Sequence, residues 1–259
     1  MRRTRFRRCH GGGVPEAGIS QRPTVSVRSK DSLEEVCTEW HQASLKLIGN
    51  VAPWRTFRWY HGQKHYSGTY WSATEQAHVI YESRLELSRL LFADFDTAVN
   101  RIIAQPFLLR AVIGKRERKH VPDFLLMTGG DPVVVDVKPR SQLDKPVVKF
   151  TLDWTRVLVE GRGMRYEVWS EPPATALGTV RFLAGFRNAM CFDPDLVKAL
   201  KDRDDLEGQT LRYACSAYRT WTEPVVRSAV LHLLWCNHFA VNLDEPLSAR
   251  TIITRGACP

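Results

Sequence analysis

His120-Val121-Pro122-Asp123-Phe124-Leu125-Leu126-Met127-Thr128-Gly129-Gly130-Asp131-Pro132-Val133-Val134-Val135-Asp136-Val137-Lys138 sets two apolar runs on either side of a Gly-Gly pair. Such a pair between β-rich runs predicts a hairpin, because both central residues of a type I′ turn need positive φ. With Gly129 and Gly130 as the loop, Thr128 pairs with Asp131 and Met127 with Pro132. Counting back, Asp123 falls opposite Asp136. Directly opposite residues share a face, with Cβ atoms about 4.5–5.5 Å apart. Lys138, two residues beyond Asp136, shares that face. Two like charges so placed repel by roughly 3 kcal/mol at an effective dielectric of about 20. The pair needs a cation, a shared proton or a bulge that parts the carboxylates. A divalent metal is the solution with a chemical purpose.

Upstream of the hairpin, Thr74-Glu75-Gln76 leads into His78 to Phe92, where Ile80, Leu87, Leu90 and Leu91 recur at helical spacing. That pattern predicts an amphipathic helix. Glu86 lies at the margin of its apolar stripe, with Glu82 one turn earlier. Asp94-Phe95-Asp96 closes the helix, and Val99 to Leu109 reads as a strand interrupted at Pro106. Gly114 to His120 reads as a basic turn into the hairpin. Downstream, Pro139 ends the second strand. Pro146 to Glu160 is helical in pattern and stopped by Gly161 and Gly163, and Met164 to Trp169 is a strand. Strand, helix, strand at this spacing predicts a crossover with parallel strands. The fold class is therefore α/β, in a domain ending near Ser170.

The flanks carry less signal. Residues 1–30 hold an arginine run, Gly11-Gly12-Gly13, Pro15 and Pro23 without periodicity, and read as a disordered basic tail. Residues 31–170 form the main domain with an N-terminal extension. A short helix is expected from Asp31 or Ser32, as cap, to Ile48. The aromatic stretch Thr56 to Ser72 reads as a hairpin or meander. Glu171-Pro172-Pro173 marks a boundary, and residues 171–259 read as a mainly helical domain. Its expected helices are Val180 to Asn188, one opened by Asp193-Pro194-Asp195, Gln209 to Tyr218, and Glu223 to Cys236. A small hairpin around Glu245-Pro246 then suits either a winged-helix module or a plain helical domain.

Composition narrows the classes. The 259 residues are 44% hydrophobic and 25% charged, an ordinary globular balance. No apolar run approaches a membrane span. The basic start Met1 to Arg8 has no apolar stretch after it, so it does not read as a secretory signal. A net charge of +9 favours a polyanionic partner, nucleic acid before membrane. Six cysteines at irregular spacing, with no C-x-x-C pair, argue against zinc and disulfide frameworks and for reduced thiols.

One helical glutamate, two facing aspartates and a lysine two residues on make a chemical set: Glu86, Asp123, Asp136 and Lys138. Mg²⁺ takes oxygen ligands and keeps several waters. The carboxylates with the Val137 carbonyl suit one or two such ions, with Mn²⁺ able to substitute. A bound metal acidifies water and offsets charge on a phosphoryl transition state, and Lys138 adds a cation beside the phosphate or orients the attacking water. Phosphodiester hydrolysis fits this set better than glycoside or peptide chemistry.

These residues also carry a resemblance. Pro122-Asp123 followed by Asp136-Val137-Lys138, after a helical glutamate, resembles the PD-(D/E)xK nuclease superfamily with its restriction-endonuclease-like core. More narrowly, Tyr81 to Glu86, Asp94-Phe95-Asp96, Gln105-Pro106-Phe107, His120 to Phe124 and Val135 to Pro139 resemble the TnsA-like endonuclease subunit of heteromeric transposases. The similarity spans roughly Ser83 to Ser170. It implies Glu86 rather than Glu82 as the helical ligand, Asp123 as the metal aspartate, and Lys138 as the final lysine. It places Gln105 close to the site. Where that family can carry Gln, this chain has Asp136. The resemblance implies cleavage of the 5′ strand at transposon ends in double-stranded DNA, beside a DDE-type (TnsB-like) transposase and an AAA+ (TnsC-like) ATPase. It also implies a cytoplasmic, nucleoid-associated bacterial protein. The alternatives are a standalone restriction or repair nuclease and a catalytically idle DNA-binding or assembly module.

Overall fold

The central hairpin forms in the expected register but not through a type I′ turn: neither Gly129 nor Gly130 has a positive φ, and the ladder begins only at Leu126 and Val133, so the loop is longer than two residues. Val133 pairs with Leu126, Val134 with Leu125 and Val135 with Phe124, so the next step of the ladder sets Asp123 opposite Asp136. The structure is a computed structural model and describes residues 22–55 and 66–256. The elements run β1 (Thr24–Ser29), β2 (Glu35–Glu39), α1 (Leu45–Gly49), β3 (Val51–Ala52), β4 (Gly68–Ser72), β5 (Ala77–Tyr81), α2 (Arg84–Phe95), β6 (Val99–Ala104), β7 (Leu108–Ile113) and β8 (Arg116–His120). They continue with β9 (Phe124–Thr128), β10 (Val133–Val137), α3 (Pro146–Glu160), β11 (Arg165–Trp169), α4 (Ala174–Leu183), α5 (Pro194–Lys201), α6 (Leu211–Cys215), α7 (Glu223–Trp235), β12 (Phe239–Ala240) and β13 (Thr254–Arg255). The fold is mixed α/β, with seven α-helices among the described residues.

The sheet that carries the hairpin has the order β6-β9-β10-β11. Its first three strands are antiparallel, while β11 runs parallel to β10 after the α3 crossover. Strand β10 is buried along its whole length, which explains the near-continuous run Val133 to Val137. Val133, Val135 and Val137 pack into one core with Leu90 and Leu91 of α2. Val134 packs into another with Leu152, Trp154 and Leu158 of α3. The sheet is thus sandwiched between the two helices.

A second sheet has the order β2-β1-β7-β8, with β3 added to β1. The chain leaves the first sheet after β6 through Gln105-Pro106-Phe107 and returns through Val121-Pro122-Asp123 into β9. The two crossings touch: the Gln105 N–H donates to the Asp123 carbonyl at 2.8 Å. Gln105 holds a left-handed φ of 47°, the bend that redirects the chain between sheets.

Several expectations change. The stretch Gly114 to His120 is not a loose basic turn. Only Gly114 and Lys115 turn, with φ of 56° and 65°, and Arg116–His120 is an edge strand paired to β7. Charge hides the strand pattern there, as is common on edges kept from pairing with other chains. The helix expected from His78 begins later. Ala77–Tyr81 pairs with β4, and α2 starts after Ser83, whose Oγ accepts the Glu86 N–H at 3.1 Å. Ile80 satisfies both periodicities, and the serine cap decides between them. The helix expected from Asp31 to Ile48 is instead β2, a short 3₁₀ turn and α1, because Glu35–Glu39 zips onto β1. Strand β1 itself falls inside the expected 1–30 tail. Of the aromatic meander, Thr56 to His65 lies outside the described residues, as do Met1 to Gln21.

Beyond Ser170 the chain is mainly helical. Helix α4 starts at Ala174, earlier than the Val180 expected, and Asp193 caps α5 through the N–H groups of Asp195 and Leu196. Leu183, Leu196, Leu200, Val226, Val230 and Leu234 join the same apolar core as α2. Strands β12 and β13 pair over two residues each. No helix among the described residues is long and apolar enough to cross a membrane. Cys37, Cys191 and Cys215 are free thiols, and Cys9 and Cys258 lie outside the described residues.

Asp94 ties α2 to the β4–β5 hairpin. Its buried carboxylate accepts hydrogen bonds from Tyr70 Oη (2.7 Å), Ser72 Oγ (2.6 Å), and the Ala73 and Thr74 N–H groups (3.0 and 2.8 Å). An alanine there leaves those donors unpaired. Asp94→Ala is expected to cost about 3–5 kcal/mol, read as a lowered urea midpoint at unchanged slope.

Candidate active site at the junction of the two sheets

Glu86, Asp123 and Lys138 lie where the sheets exchange the chain, with Gln105 bonded to the Asp123 carbonyl. Asp123 follows the second crossing and caps the end of β10: its Oδ2 accepts the Val137 N–H at 2.6 Å and lies 3.7 Å from Lys138 Nζ. Its Oδ1 has no hydrogen-bond partner among the described residues. Lys138 leaves β10 with its N–H on the Trp169 carbonyl (2.9 Å) and its own carbonyl held by Ser170 Oγ (2.8 Å). Its backbone is fixed while its ammonium end stays partly exposed.

Glu86 arrives from the first turn of α2. It forms a capping box with Ser83: Ser83 Oγ donates to Glu86 Oε1 at 2.9 Å, and the Glu82 N–H donates to Oε2 at 2.7 Å. Burial pushes the Glu86 carboxyl up to about 7, and the charge of Asp123 pushes it the same way. Burial likewise raises Asp123 to about 6, with Asp136 adding to the rise and Lys138, the Val137 N–H and His120 opposing it. Glu86 and Asp123 are thus two largely desolvated carboxylates that feel one another, a place where positive charge is favoured.

Glu82 lies outside the helix, just before its cap. Its Oε1 accepts from Gln105 Nε2 at 2.7 Å and its Oε2 lies 3.5 Å from Arg55 Nη1. Gln105 is buried and fully occupied. Its Oε1 accepts the Arg55 N–H and its carbonyl the Trp54 N–H, both at 3.0 Å. Gln105 therefore sits next to Asp123, as expected, but it braces the backbone rather than opening into the site.

Asp136 departs from expectation. It shares the α3 face with Val134 and is fully buried. His120 Nε2 donates to both of its oxygens, at 2.8 and 2.9 Å, and the Tyr166 hydroxyl donates to Oδ2. Burial and the Asp136 charge push the Tyr166 hydroxyl far above its ordinary range, so it stays a donor. The repulsion foreseen between Asp123 and Asp136 is met by the protein itself: His120 and Tyr166 hold one carboxylate, and Val137 and Lys138 hold the other. Accordingly, Glu86, Asp123 and Asp136 do not converge as three ligands. Among the described residues no group of three or more His, Cys, Asp or Glu side chains is placed to hold a metal ion.

Sequence reasoning passed over His120 and Tyr166. Strand pairing held the signal for the tyrosine: in the parallel register Val134 pairs with Tyr166 and Asp136 with Val168, so Tyr166 shares the face of Asp136.

The remaining donor set suits a hard cation. Mg²⁺ is commonly held by one or two carboxylates with waters completing its shell. Glu86 and the free Oδ1 of Asp123 are of that kind, and burial is the main reason both carboxyls are raised. Metal-free stability carries the same signature. Both acids bind a proton more tightly folded (about 7 and about 6) than at their ordinary values of 4.5 and 3.8. Their contribution is most favourable below about pH 4 and declines as pH rises to about 7, where both are charged. Urea midpoints at pH 5 and pH 7.5 in chelator are expected to fall for the wild type and to fall less for Glu86→Gln. Equal declines would remove Glu86 from this account.

Neither a protein-family model nor a curated protein sequence matches the chain.

Proposed function

We propose that the chain is a divalent-metal-dependent DNA endonuclease, acting as the subunit of a heteromeric transposase that cuts the 5′ strand at transposon ends. The observation that carries the chemistry is the Glu86–Asp123 pair beside Lys138, at the end of a sheet sandwiched between α2 and α3. The order helix, three-strand meander, helix, parallel strand supports a PD-(D/E)xK core, with β7 and β8 as an insertion in the meander. The ordered motifs from Tyr81 to Pro139 support the transposase assignment, and the net charge of +9 suits a DNA substrate.

In this reading Glu86 and Asp123 hold Mg²⁺ or Mn²⁺, with the Val137 carbonyl as a further oxygen donor. When bound, the metal lowers the pKa of water and offsets phosphoryl charge. Lys138 supplies a fixed positive charge beside the scissile phosphate and orients the attacking water. Asp136 is a positioning residue: through His120 and Tyr166 it locks β8, β10 and β11 together behind Asp123. The helical region after Ser170, packed on α2, is the surface proposed to meet the DDE-type transposase and the AAA+ ATPase.

The test is strand-resolved cleavage of transposon-end DNA in a reaction reconstituted with those partners and Mg²⁺. The wild type is expected to nick the 5′ strand only with the recombinase present. Efficient cutting by the chain alone would indicate a standalone nuclease, and no cutting under any condition would overturn the reading.

A further inference from the structure

Strand β8 runs alongside α3. The Arg118 guanidinium lies over the Phe150 ring at 5.0 Å, and the His120 ring meets Trp154 edge-on at 6.2 Å. Two residues along the strand thus match one turn of the helix, which places the β7–β8 turn toward the start of α3. Lys115 and Arg116 at that turn, and Lys145 and Lys149 at the start of α3, are all exposed. Among the described residues none of these four has a carboxylate within ion-pair distance, whereas Lys119 is neutralised by Glu117 at 2.9 Å. At its other end β8 is tied to the site through His120 and Asp136, two residues from Lys138. An edge strand with an unneutralised basic end, anchored at its far end beside two acids and a lysine, is placed to follow a charged polymer.

We infer that the β7–β8 hairpin and the first turn of α3 form a contact for the phosphodiester backbone of double-stranded DNA, on one side of the cleavage site. The inference rests on the nuclease reading for its choice of polymer. Arg116 lies four residues before His120, about 13 Å along a strand. At ~3.4 Å per nucleotide the contact falls about four base pairs from the phosphate beside Lys138. Such contacts carry no sequence information; they set affinity and register.

The experiment is metal-free fluorescence anisotropy of a fluorescein-labelled 24-base-pair duplex with the full chain across a salt series. It compares wild type, Lys115→Ala/Arg116→Ala/Lys149→Ala, and a control, Lys30→Ala/Lys46→Ala/Lys198→Ala. The control removes equally exposed cations that form no ion pair among the described residues. Each lost phosphate contact lowers the salt slope by about 0.9, so the hairpin variant is expected to lose about 2–3 units of slope and at least ~10-fold in affinity. The control is expected to match the wild type. Equal losses in the two variants, no loss in either, or no duplex binding by the wild type would each overturn the inference. A preference for an acidic protein partner over the duplex, with the same variant dependence, would also overturn it. Because no metal is present, hairpin-dependent binding in a protein that never cleaves would sink the nuclease reading and leave the contact standing.

Discussion

Asp136→Ala is expected to destabilise the protein by about 3–5 kcal/mol, the usual consequence of breaking a buried charged cluster from one side. The substitution strands the Tyr166 hydroxyl and the His120 N–H in the interior, where Asp136 is fully buried. For a chain of this size each kcal/mol moves the midpoint by about 2–4 °C, so thermal unfolding is expected about 6–20 °C lower. Asp136→Asn retains an acceptor and is expected to lose much less. A metal ligand would behave differently: with chelator present, its neutral amide isostere relieves repulsion while keeping its donors paired. Asp136→Ala matching the wild type in stability would return Asp136 to the candidate ligands.

The opposite pattern is expected of Asp123→Asn and Glu86→Gln. Each is expected to lower 5′-strand cleavage by about 10³-fold or more, because metal-assisted stabilisation of the transition state supplies several kcal/mol. Lys138→Ala is expected to cost about 10²–10³-fold, the scale of losing one group aimed at developing charge. At pH 7.5 without metal, Glu86→Gln and Asp123→Asn, which keep an acceptor for the Glu82 and Val137 N–H groups, should nonetheless match or exceed wild-type stability, since each carboxyl is held above its ordinary pKa in the fold. Loss of activity with retained stability would set these two acids apart from Asp136. Strand-resolved gels and urea titrations on the same preparations make both readings.

The part of this arrangement visible in sequence is the part set by local rules. Two apolar runs counted outward from Gly129-Gly130 gave the β9–β10 register, hence Asp123 opposite Asp136, although the loop is not the two-residue turn the glycines suggest. Gly161 marks the end of α3, whereas the Ser83-to-Glu86 spacing that starts α2 was overridden by an apolar pattern running back to His78. What was hidden depends on partners distant in the chain. The pleat tells which face Asp136 occupies, but Tyr166 lies thirty residues on and reaches it only through the parallel register. Arg116 to Lys119 shows no apolar alternation, since β8 is an edge whose exposed positions are charged. Glu35 to Glu39 carries helix-compatible residues, and pairing with β1 overrides that weak preference. Asp94 appeared as a helix-closing residue, while its four donors on and just after β4 make it the clamp between α2 and that hairpin.

Glu86 and Asp123, and not Asp136, form the proposed cation site, and titration with Mn²⁺ at pH 7.5 followed by thermal unfolding tests this most directly. The wild type and Asp136→Asn are expected to gain stability with Mn²⁺, while Asp123→Asn and Glu86→Gln gain none. Stabilisation of Asp123→Asn equal to that of the wild type would contradict the account.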